Sequence, residues 1–109
     1  MGWDAGMNDN EWAVEKVDEI AGVYLRSILL KKAGVSVPQH AHPYAHATLC
    51  ASGSANVHMG MDFKGRMNAG DIMEVPKDIS HTFTAQEDNT RLVCIHNTKS
   101  AEFIKAHGL

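Results

Sequence analysis

The stretch PQHAHPYAHAT, residues 38–48, holds three histidines within seven positions: His40, His42 and His46. The whole chain has seven, so nearly half of its imidazoles sit in one short segment. Neutral imidazole is a ligand for zinc, copper, iron and nickel. His40 and His42 are two residues apart, and on an extended backbone that spacing sends both rings from the same face. Pro38 and Pro43 flank the pair and restrict the backbone on either side. After Pro43-Tyr44-Ala45, His46 is placed to open the next strand and point back at the first pair. His81, which begins a β-type segment after Pro76, offers a fourth ring. Three or four imidazoles converging inside a barrel make a divalent-metal site. Without a carboxylate the ion's charge stays uncompensated, which strengthens it as a Lewis acid. Spacing alone leaves a pH-sensitive surface patch and a chance cluster as alternatives.

The elements that must position these residues read as short strands. VYLRSILLKK (23–32) mixes β-branched and large apolar residues and ends at Ala33-Gly34. ATLCA (47–51) stops at the hairpin-type turn Ser52-Gly53-Ser54. ANVHMGMDF (55–63) alternates around Val57, Met59 and Met61 and then meets Lys64-Gly65. DIMEVP (71–76), HTFTA (81–85) and TRLVCIHN (90–97) complete the series, with β-type structure expected from Trp12 onward. Only SAEFIKAHG (100–108) reads as helix, with Ser100 as N-cap and Gly108 as stop. Turn signals every 8–12 residues point to an all-β sandwich or barrel. Residues 1–11, rich in Gly, Asn and Asp, are expected to be a flexible N-terminal segment, and 12–109 one barrel domain.

Composition narrows the function classes. At 109 residues the chain has room for one core. A formal net charge of -3 without a basic run gives no footprint for nucleic acid. No apolar run approaches the ~18 residues of a membrane span, and the acidic N-terminus lacks the form of a signal peptide. Cys50 and Cys94, the only cysteines, suit two reduced thiols in a cytoplasmic protein.

The frame around the histidines adds a family resemblance. Gly34, five residues, His40-Ala41-His42, three residues, His46, six residues and Gly53 closely resemble the first motif of the cupin superfamily. Gly70, five residues, Pro76, one residue, Asp78, two residues and His81 resemble the second, with the short spacing of small single-domain cupins. Three positions depart from the family pattern. His46 stands where Glu is usual, Asp78 where Gly is usual, and Ala85 where Asn is usual. Asp tolerates left-handed backbone better than most residues. The resemblance implies a double-stranded β-helix (jelly-roll) cupin barrel with a short C-terminal helix. It further implies one metal held by His40, His42, His46 and His81, the alternative being that His46 points to solvent and three histidines suffice. Cupins commonly pair edge strands, so the resemblance also implies a homodimer, for which segment 23–32 is a candidate edge.

An all-imidazole set disfavours magnesium and calcium and leaves iron, nickel, zinc or copper. Other groups have two readings each. Tyr44, between two ligands, is either a catalytic acid or hydrogen-bond donor, or a rim residue facing outward. Cys50 shares parity with His46 and Thr48 and is expected to be a small buried residue facing the interior. His58 and His96 read as satisfied or surface histidines, with a proton-relay role as the alternative. Met59, Met61, Met73, Val75 and Phe83 are the expected cavity lining, with Glu74 turned outward. An apolar pocket without a carboxylate base suits a metal-dependent dioxygenase, an oxidoreductase acting on a small molecule. A non-catalytic metal-binding or ligand-binding module and a metal-dependent lyase or isomerase are the alternatives.

Overall fold

A computed structural model describes residues 12–37 and 41–106 of the chain. The flexible segment expected over 1–11, His40, and the helix stop expected at Gly108 lie outside the described residues. Among the described residues eight strands run in chain order: β1 Trp12–Ile20, β2 Val23–Leu30, β3 His46–Ser52, β4 Ser54–Met59, β5 Asp62–Asn68, β6 Ile72–Val75, β7 His81–Ala85 and β8 Thr90–Asn97. One short helix follows, α1 Ala101–Ala106.

The strands form two antiparallel sheets, ordered β1-β2-β8-β3-β6 and β5-β4-β7. A bridge from Ser36 to Thr84 continues the second sheet onto the segment before the histidines. Alternation explains the packing. In β7 (HTFTA) and β3 (HATLCAS) every second residue is buried, and β8 follows the same rule from Thr90 to His96. The inward positions meet as a core that includes Ile28, Leu30, Cys50, Val57, Phe83 and Leu92. Leu30 and Leu92 are fully buried, each contributing on the order of 2 kcal/mol by transfer out of water.

Several details differ from the expectations. The stretch 55–63 is two strands, because the chain reverses at Gly60-Met61, where Gly60 adopts φ 61°. Alternation continues across the turn, so period alone hides the reversal. Met61 stands at the tip, 98% exposed, and is therefore no part of the cavity lining. The β-type structure expected from Trp12 onward, for which the sequence bounds no strand before Val23, is β1 over Trp12–Ile20, beside β2 in the five-stranded sheet. With one neighbour among the described residues, it shows mostly exposed residues in place of a buried alternation. Segment 23–32 consequently offers no free edge, since β2 lies between β1 and β8.

Asp78 takes the left-handed conformation that its place in the motif requires, φ 62°. Its N–H donates to the His42 carbonyl at 2.7 Å, tying the β6–β7 loop to the histidine segment. The Ser100 hydroxyl accepts from the Phe103 N–H at 3.0 Å, capping α1 as expected. That cap fixes Phe103, which is buried against Tyr24, Tyr44 and His96. No helix among the described residues is long and apolar enough to cross a membrane.

Candidate metal centre

Register decides which rings meet. His46 opens β3 opposite Val75 of β6 and, by alternation, points inward with Thr48 and Cys50. His81 opens β7 opposite Met59 of β4, on the inner face of the other sheet. His42 precedes β3 in the loop that Asp78 holds. The three bring one ring nitrogen each within 4.8 Å of one another. His46 and His81 are buried, and His42 is partly so. No carboxylate or thiol joins the group among the described residues.

The donor set fits a transition-metal ion on two observations. The ring centres stand 5.2, 5.3 and 5.9 Å apart. One ring nitrogen from each lies within 4.8 Å of the others, close enough for a single ion to draw all three. The second observation is tautomeric. His81 Nδ1 lies 3.1 Å from the Ile79 carbonyl. A carbonyl only accepts, so Nδ1 carries the proton and donates, which leaves Nε2 as the lone-pair nitrogen. That nitrogen is shielded from solvent, as are both ring nitrogens of His46.

The structure brings Tyr44 to the centre and not to the rim. It is 5% exposed, stacked on His42 with ring centres 5.2 Å apart and planes 16° from parallel. Burial first, and then the nearby Tyr24, push the Tyr44 phenol above its usual range. It therefore stays protonated and is equipped to donate a hydrogen bond. The outward reading failed because the turn folds under α1, placing Tyr44 edge-on to Phe103 at 5.3 Å.

His96 is the residue that the sequence reading undervalued. It is buried on β8 and stacks on His46, ring centres 4.8 Å apart and planes 18° from parallel. Tyr24, its register partner on β2, closes on its other side at 5.4 Å. The inward parity of β8 was the available signal, since His96 is two residues from Cys94 and four from Leu92. His58 lies elsewhere, on β4 against Phe63 at 5.4 Å. Met59, Met73, Val75 and Phe83 face the core as expected, and Glu74 faces outward. A cleft of about 350 Å³ meets His46 and His96 where β3 begins and β8 ends, and Ala47, Glu74 and Ile95 also line it. His42 and His81 are not in its walls, so it adjoins the histidine cluster without containing it.

Cys50 is fully buried and Cys94 nearly so. Burial is the main cause pushing both thiols up. We expect neither to react with a thiol reagent at pH 8 in the native protein, while both react in denaturant; fast native labelling of either would contradict this packing. Because burial disfavours the thiolate, the raised native values cost nothing while both thiols stay protonated, and stability falls as pH rises from the ordinary thiol range towards the raised native values.

The comparisons agree with this architecture. The family profile described as "Cupin domain" matches residues 27–96. An uncharacterised conserved protein with a double-stranded β-helix domain from Klebsiella pneumoniae is similar at TM-score 0.69 and 20% identity, over 85% of this chain and 82% of that one. KdgF from Halomonas sp. is similar at TM-score 0.67 and 14% identity, over 85% of this chain and 90% of its own. A structure from work on the mechanism of oxalate oxidase gives TM-score 0.67 and 19% identity, over 81% of this chain and 51% of that one. At these identities the likeness is one of fold. No curated protein matches the chain in sequence.

Proposed function

This chain belongs to the Cupin domain family, and we propose that it is a transition-metal-dependent oxygenase of the dioxygenase type, acting on a small molecule. The observation that carries this reading is the convergence of His42, His46 and His81 without a carboxylate among the grouped donors. Imidazole donors suit iron, nickel, copper and zinc and suit magnesium and calcium poorly. When bound, an iron, nickel or copper ion would supply redox chemistry with dioxygen, whereas zinc would supply polarisation or structure only.

The chain's own residues divide the remaining work. His81 presents Nε2 because Ile79 holds its other nitrogen. Val75 faces His46 across the sheet, and Met59 faces His81, so apolar side chains border the donors and exclude water. Tyr44, stacked on His42, provides an O–H donor beside the donor triangle. His40, expected as a fourth ligand, is part of the proposal through its motif position alone. The homodimer also belongs to the proposal, with β1 as the available sheet edge.

Dioxygen uptake distinguishes the readings. Protein loaded separately with iron(II), nickel, copper or zinc is offered a panel of small organic molecules in an oxygen-electrode cell. Uptake with at least one redox-active metal and none with zinc is the expected result. Protein inert with all four metals, yet melting lower after chelation, is a metal-binding module and the oxygenase reading is wrong.

A further inference from the structure

Arg26 occupies an inward position of β2 that the metal centre does not use. The register sets the row Met73–Thr48–Cys94–Arg26–Val17 across the inner face of the five-stranded sheet. Thr48 is fully buried and Cys94 nearly so, while Arg26 is half-buried. The neighbouring row carries Tyr24 and His96, which are partners in register. Arg26 therefore lies one row in from the aromatic end of the centre.

Its electrostatic neighbours agree with that direction. Its register partner Cys94 is buried on the inner face of the sheet, and the Arg26 charge opposes the upward push of burial on that thiol. Among the described residues Arg26 makes no ion pair and no side-chain hydrogen bond. Among the described residues Glu19 is the one carboxylate on its face of the sheet. It is exposed and lies opposite Tyr24, not Arg26. A partly desolvated guanidinium is ordinarily paired with an anion. Among the described residues the fold supplies the cation and no anion paired with it.

We propose that Arg26 is the anchor for a small organic carboxylate bound beside the histidine cluster. The ligand's carboxylate takes the guanidinium fork, the Tyr44 hydroxyl donates to it, and its other end reaches His42, His46 and His81. This names the substrate class for the oxygenase reading and rests on that reading for the position of the far end. Arg26 and His46 are two strands and one row apart, on the order of 12 Å between Cα atoms from the ordinary ~4.8 Å strand spacing and ~3.3 Å rise. An arginine and an imidazole reaching toward each other reduce that span to the length of a short-chain acid. The inner positions of this sheet hold no second Lys or Arg among the described residues. A single planar fork matches a carboxylate, whereas a phosphate dianion calls for more positive charge.

The test compares succinate with succinamide by titration calorimetry, on cobalt(II)-loaded and metal-free protein. Wild type is expected to bind succinate at least tenfold tighter than succinamide. Arg26→Met should lose at least tenfold in succinate affinity while cobalt(II) affinity and succinamide binding stay within twofold. Arg26→Lys, which keeps charge but not the fork, should fall between them. Should Arg26→Met not fold, Arg26→Gln and Arg26→Lys carry the same comparison. Succinate affinity within twofold of wild type in these variants, or no preference for the acid over the amide in wild type, overturns the proposal. Failure of cobalt(II) to bind at all would instead remove the oxygenase reading, and the metal-free titrations would still decide the role of Arg26.

Discussion

His81→Ala is expected to lower cobalt(II) affinity at least about a hundredfold, roughly 2.7 kcal/mol at about 1.4 kcal/mol per tenfold. The size follows from preorganisation. His81 is 1% exposed, and the Ile79 carbonyl holds its tautomer, so the bound state costs this ring little reorientation. Losing an outer partner of a metal ligand typically costs 10–100-fold, and losing the ligand itself should cost more. Wild-type protein should melt higher with added cobalt(II), in line with selective binding to the folded state, and the variant should not. His58→Ala is the matched control, since that ring lies against Phe63 and away from the centre. Absorption titration with cobalt(II) and melting curves with and without chelator give the readout. Affinity of His81→Ala within threefold of wild type would show that the three-histidine grouping is not the binding site.

The second large effect concerns the frame. Gly53→Ala should destabilise the fold by about 3–5 kcal/mol, whereas Gly34→Ala should cost only about 1–2 kcal/mol, the ordinary penalty for placing alanine in left-handed backbone. Both glycines have positive φ, 74° and 91°. A Cβ at Gly34 meets nothing within 4 Å. At Gly53 it would lie 2.9 Å from the Thr90 Cα, which is backbone, and in steric clash with the Thr90 hydroxyl. Thr90 cannot yield easily. Its hydroxyl bonds to the Glu87 carbonyl at 2.9 Å and the Ser54 carbonyl at 3.2 Å, and it is fully buried. Urea denaturation of both variants checks the difference, and equal losses would mean that the approach to Thr90 is not tight in solution.

These two glycines also show what kind of information a motif carries. Gly34 and Gly53 have the same meaning in sequence, a position needing φ above zero. Their different costs arise from what the start of β8 places beside one of them and not the other. The strands were legible because inward and outward residues alternate, most clearly over His81–Ala85 and Thr90–Asn97, whose bounds match the structure residue for residue. Where alternation passes through a tight turn, as at Gly60-Met61, one strand and two strands look alike. Where a strand lies at an edge, as in β1, burial no longer alternates and the signal fades.

For the site, spacing put His40, His42, His46 and His81 forward as candidate ligands and left a surface patch and a chance cluster open, because a two-residue period and a strand start are local properties of the backbone. Two residues were legible only in part. Tyr44 sits in a turn, and turns ordinarily face water; its burial depends on Phe103, some 60 residues later in the chain. His96 looked like an isolated ring, and it became the stacking partner of His46 only when β8 paired with β3.

The sequence by itself determined the all-β class, the strand positions that alternate and His42, His46 and His81 as candidate ligands. It could do so because period, turn chemistry and ligand type are written within a few residues of each other. The tertiary structure alone decided the tautomer of His81, the burial of Tyr44, the stacking of His96 and the inward place of Arg26 without a carboxylate partner. Each of these depends on which strand lies beside which, and that register is a property of the whole sheet.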